Sequence, residues 1–346
     1  MPIKMGLYCS IACLFCMLYS CNKESDAESS AILPVNLIIN SRVSADGSGL
    51  VAFTATAQHA VNYFFEFGNG AKAASATGST TYVYPEEGSI DYTVVVTAVG
   101  NTGQIIQQSA TITVTKQLTI FWSDEFEVDG PPNSIHWGYD LGAGGWGNNE
   151  LQFYTDRSEN AIVAGGLLKI RAIKETYQGA QYTSARMLTK DKFAFTYGKL
   201  EVRARLPAGA GTWPAIWMLG SNIGTVPWPA CGEIDIMEHK GNEPNRIYGT
   251  LHYPERYGGN NPDGGSLLIS NASNEFHIYS LKWYPGTIKL FVDDQLFHTV
   301  NNSASIPFNH DFYIIMNIAM GGGFGGVIDP AFNQATMEVD YIRVYK

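Results

Sequence analysis

Three acidic residues lie close together in the segment GEIDIMEH, which spans residues 232–239. Glu233 and Asp235 alternate with isoleucines, so on a regular strand their side chains share one face. Glu238 follows at an odd offset and would point to the other face unless one extra residue forms a β-bulge. We place that bulge at Met237, which puts all three carboxyl groups on one face.

This row of carboxyl groups is suited to acid–base chemistry. Clustered carboxyl groups repel one another, which raises the pKa of at least one of them. Two neighbouring carboxyl groups suit glycoside hydrolysis, in which one attacks the anomeric carbon and the other protonates the leaving oxygen. Neighbours on one strand favour the separation of about 5–5.5 Å that accompanies the retaining route. A solvated charged strand and a calcium site are the alternative interpretations of the pattern.

The elements that must carry these groups are predicted to be strands. Charged and apolar side chains alternate with period two between residues 199 and 206. Residues 312–320 form a nearly continuous apolar run, which is typical of a strand covered on both faces. No long amphipathic helix is evident. Residues 117–346 therefore predict an all-β catalytic domain, a two-sheet sandwich of β-jelly-roll type.

A second, smaller β unit precedes this domain. Residues 34–116 are rich in Val, Thr, Ala and Ser in short alternating runs, which predicts a small antiparallel sandwich. The segments FEFGNG at 65–70, YVYP at 82–85 and YTV at 92–94 resemble a PKD-type immunoglobulin-like module, with Phe and Asn where such modules usually have Trp and Asp. No catalytic cluster lies in this unit, so we expect it to act as a spacer.

The first residues have the pattern of an export signal. Residues 1–20 combine Lys4 with an apolar run that has signal-peptide length. The run ends at Cys21, as in bacterial lipoprotein signals, which this segment resembles; an ordinary secretory signal is the alternative. Residues 21–33 follow as a flexible tether, with a short acidic stretch similar to those of Bacteroidetes surface lipoproteins. We expect export to the bacterial outer membrane or cell surface, with the lipid on Cys21 as the only membrane contact.

Composition excludes several classes of protein. Charged residues make up 16% of the 346 residues and aromatic residues 12%, with a net charge of −10. This balance is the opposite of a disordered chain and lacks the basic footprint of a nucleic-acid binder. Once Cys21 is acylated, Cys231 has no cysteine partner, so no disulfide framework is expected. Nothing in the sequence indicates more than a monomer.

The carboxylate strand and its surroundings resemble glycoside hydrolase family sixteen in its bulged, laminarinase-like form. The resemblance covers residues 118–346 in family order, through the motifs WSDEF at 122–126, GWGNNELQ at 145–152, YTSAR at 182–186, WPAIWMLG at 213–220, GTLH at 249–252 and VDYIRVY at 339–345. It implies a jelly roll with an open cleft. By motif position it implies that Glu233 is the nucleophile, Glu238 the general acid/base and Asp235 an assisting carboxylate.

The same resemblance implies a set of sugar-binding side chains. Sugar rings have apolar faces that aromatic side chains cover and hydroxyl edges that polar side chains bind. The expected contacts are Trp213, Trp217, Trp228, Asn148, Arg186 and His252. Burial in the core is the alternative for the tryptophans and for His252. Trp146 and Glu150 lie in a glycine-rich loop, and the sequence favours neither the cleft rim nor the core for them.

Many family members hold a structural calcium ion far from the chemistry, and Glu125, Gly166 and Asp340 fall at the matching positions. No catalytic metal or organic cofactor is implied. The implied activity is that of a retaining endo-β-glucanase on β-1,3 linkages of laminarin-like or mixed β-1,3/1,4-glucans. Alternatives are another polysaccharide such as agarose, transglycosylation in place of hydrolysis, and a catalytically weak glycan-binding surface lipoprotein.

Overall fold

The computed structural model describes residues 32–346. The predicted signal peptide, Cys21 and nearly all of the predicted tether lie outside these residues. The described part contains 24 strands and one four-residue helix, α1 (Gly322–Gly325). Within it, no helix has the length and apolar character needed to cross a membrane.

Seven strands form two small antiparallel sheets at the beginning of the described chain. They are β1 (Val35–Val43), β2 (Leu50–Gln58), β3 (Ala60–Glu66), β4 (Lys72–Ser75), β5 (Ser79–Val83), β6 (Gly88–Gly100) and β7 (Ile105–Lys116). One sheet has the order β1-β2-β5 and the other β4-β3-β6-β7. Side chains from both sheets share one apolar core that includes Phe53, Phe65, Phe67 and Tyr84. The immunoglobulin-like assignment of this unit stays a prediction.

The remaining strands build two larger sheets. They are β8 (Ile120–Asp124), β9 (Gly138–Asp140), β10 (Gln152–Tyr154), β11 (Ala161–Val163), β12 (Leu168–Tyr177), β13 (Ala180–Ser184), β14 (Arg186–Leu188), β15 (Gly198–Arg205), β16 (Thr212–Gly220), β17 (Glu233–His239), β18 (Arg246–His252), β19 (Asp263–Leu268), β20 (His277–Tyr284), β21 (Thr287–Val292), β22 (Gln295–Asn301), β23 (Phe312–Met320) and β24 (Gln334–Tyr345). One sheet has the order β10-β13-β12-β24-β15-β20-β21-β22, with β8 and β11 paired beside it. The other has the order β19-β18-β17-β16-β23-β14-β9.

A single large apolar core lies between these two sheets and confirms the all-β jelly-roll prediction. Along β15 every second side chain is buried, as the period-two alternation predicts. All nine residues of β23 are buried, as predicted for a strand covered on both faces. On its second face, Tyr313 and Ile315 lie in a small separate apolar cluster, and Asn317 and Ala319 line the cleft of the candidate site.

The predicted calcium positions come together at one corner of the larger sheet. β12 pairs with β24 as far as Val339, and β8 pairs with the same strand from Ile342 onward. Asp340 lies in the gap between these two ladders. Gly166 precedes β12 and Glu125 follows β8, so the three predicted positions converge on this gap.

The side chains at this corner already have partners. Glu125 accepts two hydrogen bonds from the guanidinium of Arg343, at 3.0 and 2.8 Å. Asp340 forms an ion pair with Arg203. Backbone carbonyl oxygens at the gap fit the ligand preference of calcium, whereas each carboxylate would have to exchange a guanidinium group for the ion. Calcium binding therefore stays a prediction.

Polar contacts connect the small sheets to the large ones. The Glu87 carboxylate accepts a hydrogen bond of 3.1 Å from Lys282 and lies 3.7 Å from the amine of Lys199. The backbone N–H of Glu87 donates to the hydroxyl of Tyr284 at 3.4 Å. Each unit has its own apolar core, and these polar contacts lie outside both cores.

Candidate active site

The strand β17 contains the predicted bulge. Against β16, Trp217 pairs with Asp235 and Ile216 pairs with Met237, which leaves Ile236 without a partner. The ladder with β18 shifts at the same point. Against β18 neither Ile236 nor Met237 has a partner, so the bulge comprises both residues and includes the predicted Met237. Against β16 Met237 keeps Ile216 as its partner, and the extra residue on that side is Ile236.

The extra residue restores the parity of the carboxyl groups. Glu233, Asp235 and Glu238 all line the same cleft. The apolar side chains of this strand, Ile234, Ile236 and Met237, are fully buried in the opposite direction. They fix the strand in the core, so the row of carboxyl groups lies on a rigid support.

The environment of the row raises the pKa of every member. Burial is the main cause, and it raises the pKa of Glu233, Asp235 and Glu238 to about 8. The negative charge of Asp235 adds to the rise at both glutamates. Such a row holds protons near neutral pH, so an ionised nucleophile and a protonated acid can coexist.

His252 lies beside the first two carboxyl groups. Its Nδ1 accepts a hydrogen bond of 3.1 Å from the backbone N–H of Gly258, which places the proton of a neutral ring on Nε2. Nε2 lies 3.2 Å from Asp235 and 3.8 Å from Glu233. The histidine therefore contacts the Glu233 end of the row, and its expected role as a sugar contact stays a prediction.

Ligand atoms of Glu233, Asp235 and His252 lie within 4.8 Å of one another, a spacing that a metal ion can also use. The same two carboxyl groups belong to the row that the sugar chemistry requires. The predicted acid–base and nucleophilic roles of these groups use the same atoms, and the expectation that catalysis needs no metal stays a prediction.

His239, the last residue of β17, lies on the core side of the strand and is 1% exposed. Burial lowers the pKa of its ring to about 4, so the ring is neutral near pH 7.

Trp213 contacts the other end of the row. Its indole Nε1–H donates a hydrogen bond of 3.0 Å to the Glu238 carboxylate. Its ring centroid lies 5.2 Å from that of Phe324, in the helix α1. The predicted role of Trp213 as a cleft residue agrees with this position, and the hydrogen bond adds a direct influence on the proton of Glu238.

Trp217 and Arg186 form a stack in the cleft floor. The guanidinium carbon of Arg186 lies 4.7 Å from the ring centroid of Trp217 and 4.9 Å from that of Trp146. The Arg186 side chain also forms an ion pair of 2.9 Å with Asp140. Trp146, for which the sequence favoured neither rim nor core, therefore lines the cleft.

Trp228 lies near the Glu233 end and is 41% exposed. Its ring packs edge-on against Tyr257, with centroids 5.3 Å apart, and against His252 at 6.0 Å. An exposed indole of this kind offers an apolar face to a sugar ring. Core burial, the alternative interpretation, does not apply to Trp228.

The cleft has a volume of about 330 Å³, and its lining includes all predicted sugar contacts except His252. The lining residues are Trp146, Gly147, Asn148, Glu150, Arg186, Trp213, Ala215, Trp217, Leu219, Trp228, Glu233, Asp235, Glu238, Asn317 and Ala319. The sequence analysis did not predict Asn317 as a site residue. Its amide is the one strongly polar side chain in the apolar run of β23, and this exception to the pattern could have indicated a role in the site.

Comparison with known proteins identifies the family. The model of Glycosyl hydrolases family 16 matches residues 146–343, and the chain belongs to this family. A second family model, described as Beta-glucan synthesis-associated protein SKN1/KRE6/Sbg1, matches residues 53–233. The second match ends at Glu233, so it omits Asp235 and Glu238, whereas the first covers the whole row. The chain is therefore a glycoside hydrolase.

Relatives and solved structures agree with this assignment. A Beta-glucanase of Rhodothermus marinus is 47% identical over 244 residues, which is 66% of this chain and 85% of the relative. The laminarinase structure from Rhodothermus marinus is 46% identical with a TM-score of 0.64 and covers 66% of this chain and 98% of that one. A Z. galactanivorans structure in complex with laminaritriose and laminaritetraose is 45% identical, with a TM-score of 0.61 and coverages of 66% and 99%.

Proposed function

We propose that this protein is a retaining endo-β-1,3-glucanase that acts on laminarin-like glucans. The observation that carries the proposal is the row of Glu233, Asp235 and Glu238 on one face of the bulged strand, in the floor of an open cleft lined by tryptophans. The names of the similar proteins, a Beta-glucanase and a laminarinase, support the substrate class.

In the proposed mechanism, Glu233 attacks the anomeric carbon and Glu238 protonates the departing glycosidic oxygen. Water then hydrolyses the glycosyl-enzyme, with Glu238 acting as the base. Asp235 lies between them and raises the pKa of both glutamates. Its charge helps to keep Glu238 protonated in the first step.

The substrate class is tested by measuring reducing ends released from laminarin, barley mixed-linkage β-glucan and agarose. We expect release from laminarin and slower or comparable release from the mixed-linkage glucan. Release from agarose alone would refute the proposed substrate. The anomer formed first, followed by proton NMR, tests the retaining route, for which the initial product is the β-anomer.

The nucleophile assignment has its own test. The change Glu233→Gln should abolish turnover while substrate binding is kept, because the amide is isosteric but does not attack carbon. Glu159→Gln removes the same charge from an exposed position and serves as the matched control. Unchanged activity of the Glu233 variant would contradict the assignment.

We also propose that the protein is exported and anchored through a lipid on Cys21, on the basis of the sequence of residues 1–21 alone. The matching test is the variant Cys21→Ala expressed in a bacterial host. We expect wild-type protein in the membrane fraction and the variant in the soluble fraction. An equal distribution of the two proteins would contradict the anchor.

A further inference from the structure

A fourth carboxylate, Glu150, lines the cleft without belonging to the catalytic row. Its backbone forms an isolated bridge with Gly321, which directly follows β23, so β16 and β23 lie between Glu150 and the row on β17. The residue is only 8% exposed. A nearly buried carboxylate needs hydrogen-bond donors, because loss of hydration is costly for a charge.

Glu150 is held by three donors. Gln152 Nε2 donates at 2.7 Å, Tyr154 OH at 3.1 Å and Asn148 Nδ2 at 3.1 Å. None of the described lysine, arginine or histidine residues forms an ion pair with it. Carboxylate oxygens only accept hydrogen bonds, so all three neighbours must turn a donor toward Glu150. Glu150 therefore orients all three donors.

One of these donors connects Glu150 to the cleft floor. Trp217 Nε1 donates to Asn317 Oδ1 at 2.8 Å, and Asn317 Nδ2 donates to Tyr154 OH at 3.0 Å. Tyr154 in turn donates its only proton to Glu150. In this series each hydrogen bond is donated in the direction of the Glu150 carboxylate. Each hydrogen bond therefore strengthens the next one, and the direction of donation is the same throughout.

We propose that Glu150 is a positioning residue for sugar binding, which fixes the Trp217 ring through Asn317 and Tyr154 and fixes the Asn148 amide directly. This inference rests on the proposed function, because Trp217 and Asn148 are its expected sugar contacts. With one amide N–H donated to Glu150, Asn148 keeps its carbonyl oxygen as an acceptor and its second N–H as a donor for sugar hydroxyls. Glu150 thus prepares one apolar and one polar contact at the same time.

The test is the substitution Glu150→Gln, measured as binding of a β-1,3-linked glucose tetrasaccharide in the inactive Glu233→Gln background. Asn148 donates to Oε1 of Glu150, whereas Gln152 and Tyr154 donate to Oε2, so the new amide nitrogen faces at least one donor in either orientation. Either Asn148 or the series of hydrogen bonds from Tyr154 to Trp217 then loses its fixed orientation. We expect the Kd to rise about tenfold. In the active enzyme we expect KM to rise about tenfold with kcat within about threefold, because the lost contacts act on bound substrate and transition state alike.

Tyr154→Phe provides a second variant, since it removes only the hydroxyl and keeps the buried ring. We expect it to raise KM in the same direction, and the double variant to be less than additive because both changes interrupt one chain. Glu159→Gln is the matched control and should leave Kd and KM unchanged. If Glu150→Gln does not fold, Tyr154→Phe decides the outcome.

Unchanged Kd and KM in folded variants, or a loss confined to thermal stability, would overturn the proposal. The binding measurement also separates it from the proposed function. A wild-type protein that binds the tetrasaccharide without hydrolysing it would refute the glucanase proposal. The Kd comparison between Glu150→Gln and its control would still decide the role of Glu150.

Discussion

Two neighbours act in opposite directions on the proton of Glu238. The Asp235 charge raises the pKa of Glu238, and the hydrogen bond from Trp213 lowers it. The hydrogen bond stabilises the ionised carboxylate, whereas the like charge destabilises it. The pH dependence of activity should therefore respond to each neighbour with a different sign.

The substitution Trp213→Phe removes the indole donor and keeps an aromatic ring. Because the lost hydrogen bond favours the ionised form, the pKa of Glu238 should rise and the alkaline limb of kcat/KM should move to higher pH by up to about one unit. The acidic limb should stay in place, since Trp213 does not contact Glu233. Trp122→Phe, on the other sheet, is the control, and an alkaline limb that moves downward in the Trp213 variant would contradict the argument.

The substitution Asp235→Asn removes the like charge beside both glutamates. The pKa of Glu233 and of Glu238 should fall, so both limbs of the kcat/KM profile should move to lower pH by roughly one unit. A profile measured on a neutral glucan is required, so that the substrate itself does not titrate. A shift of both limbs to higher pH would show that the charge of Asp235 does not act as proposed.

At the scale of the element, Gly249 supports the bulged strand. It lies on β18, opposite the point where the ladder with β17 shifts. A Cβ atom there would lie 2.6 Å from a methyl group of Leu290 and 2.8 Å from the ring of Phe297. The two sheets approach so closely at this position that no side chain fits without movement.

The substitution Gly249→Ala should therefore destabilise the protein by about 1–3 kcal/mol, the usual cost of overpacking a core. Urea unfolding measures this cost, and we expect kcat to fall as well because the shift disturbs the catalytic strand. Gly259→Ala is the matched control, since its Cβ would contact nothing within 4 Å. Equal stability of the two variants would contradict this account of the packing.

Sequence patterns predicted the all-β class, the strands at residues 199–206 and 312–320 and the row of carboxyl groups, because alternation and parity are local properties. The alternation in residues 199–206 corresponds to the alternating burial of β15, and the odd offset of Glu238 corresponds to the bulge in β17. Asn317 and Tyr154 were missed, because their importance comes from pairing between distant segments. They lie 163 positions apart in the chain, so no local sequence pattern indicates their hydrogen bond.

At the scale of the whole molecule, each of the two units has its own apolar core and should therefore fold without the other. A protein limited to residues 117–346 should keep kcat/KM on soluble laminarin within about twofold, because a unit with its own core folds without its neighbour. Its contacts with the first unit include the polar ones around Glu87. Loss of the cooperative unfolding transition in the shortened protein would contradict this prediction.

The predicted calcium at the Asp340 corner has a stability consequence. Any ligand that binds only the folded state stabilises it, so chelation with EDTA should lower the Tm and added calcium should restore it. Asp340→Asn should abolish this difference, while Asp329→Asn, at an exposed position, should keep it. A Tm that does not respond to EDTA or to calcium in the wild type would refute the site.

The bulge in β17 determines which single-codon deletions in this strand would keep the three carboxyl groups on one face. Removal of the codon for Ile236, the residue without a partner on β16, would leave Asp235 opposite Trp217 and Met237 opposite Ile216, as they are now. Glu238 would keep its place opposite Ala215, and the shortened strand would alternate regularly with all three acids still on one face. A three-nucleotide deletion at this point thus keeps the three carboxyl groups in the cleft. A deletion at most other points of the strand would move some of its carboxyl groups to the core face and some of its apolar side chains to the cleft.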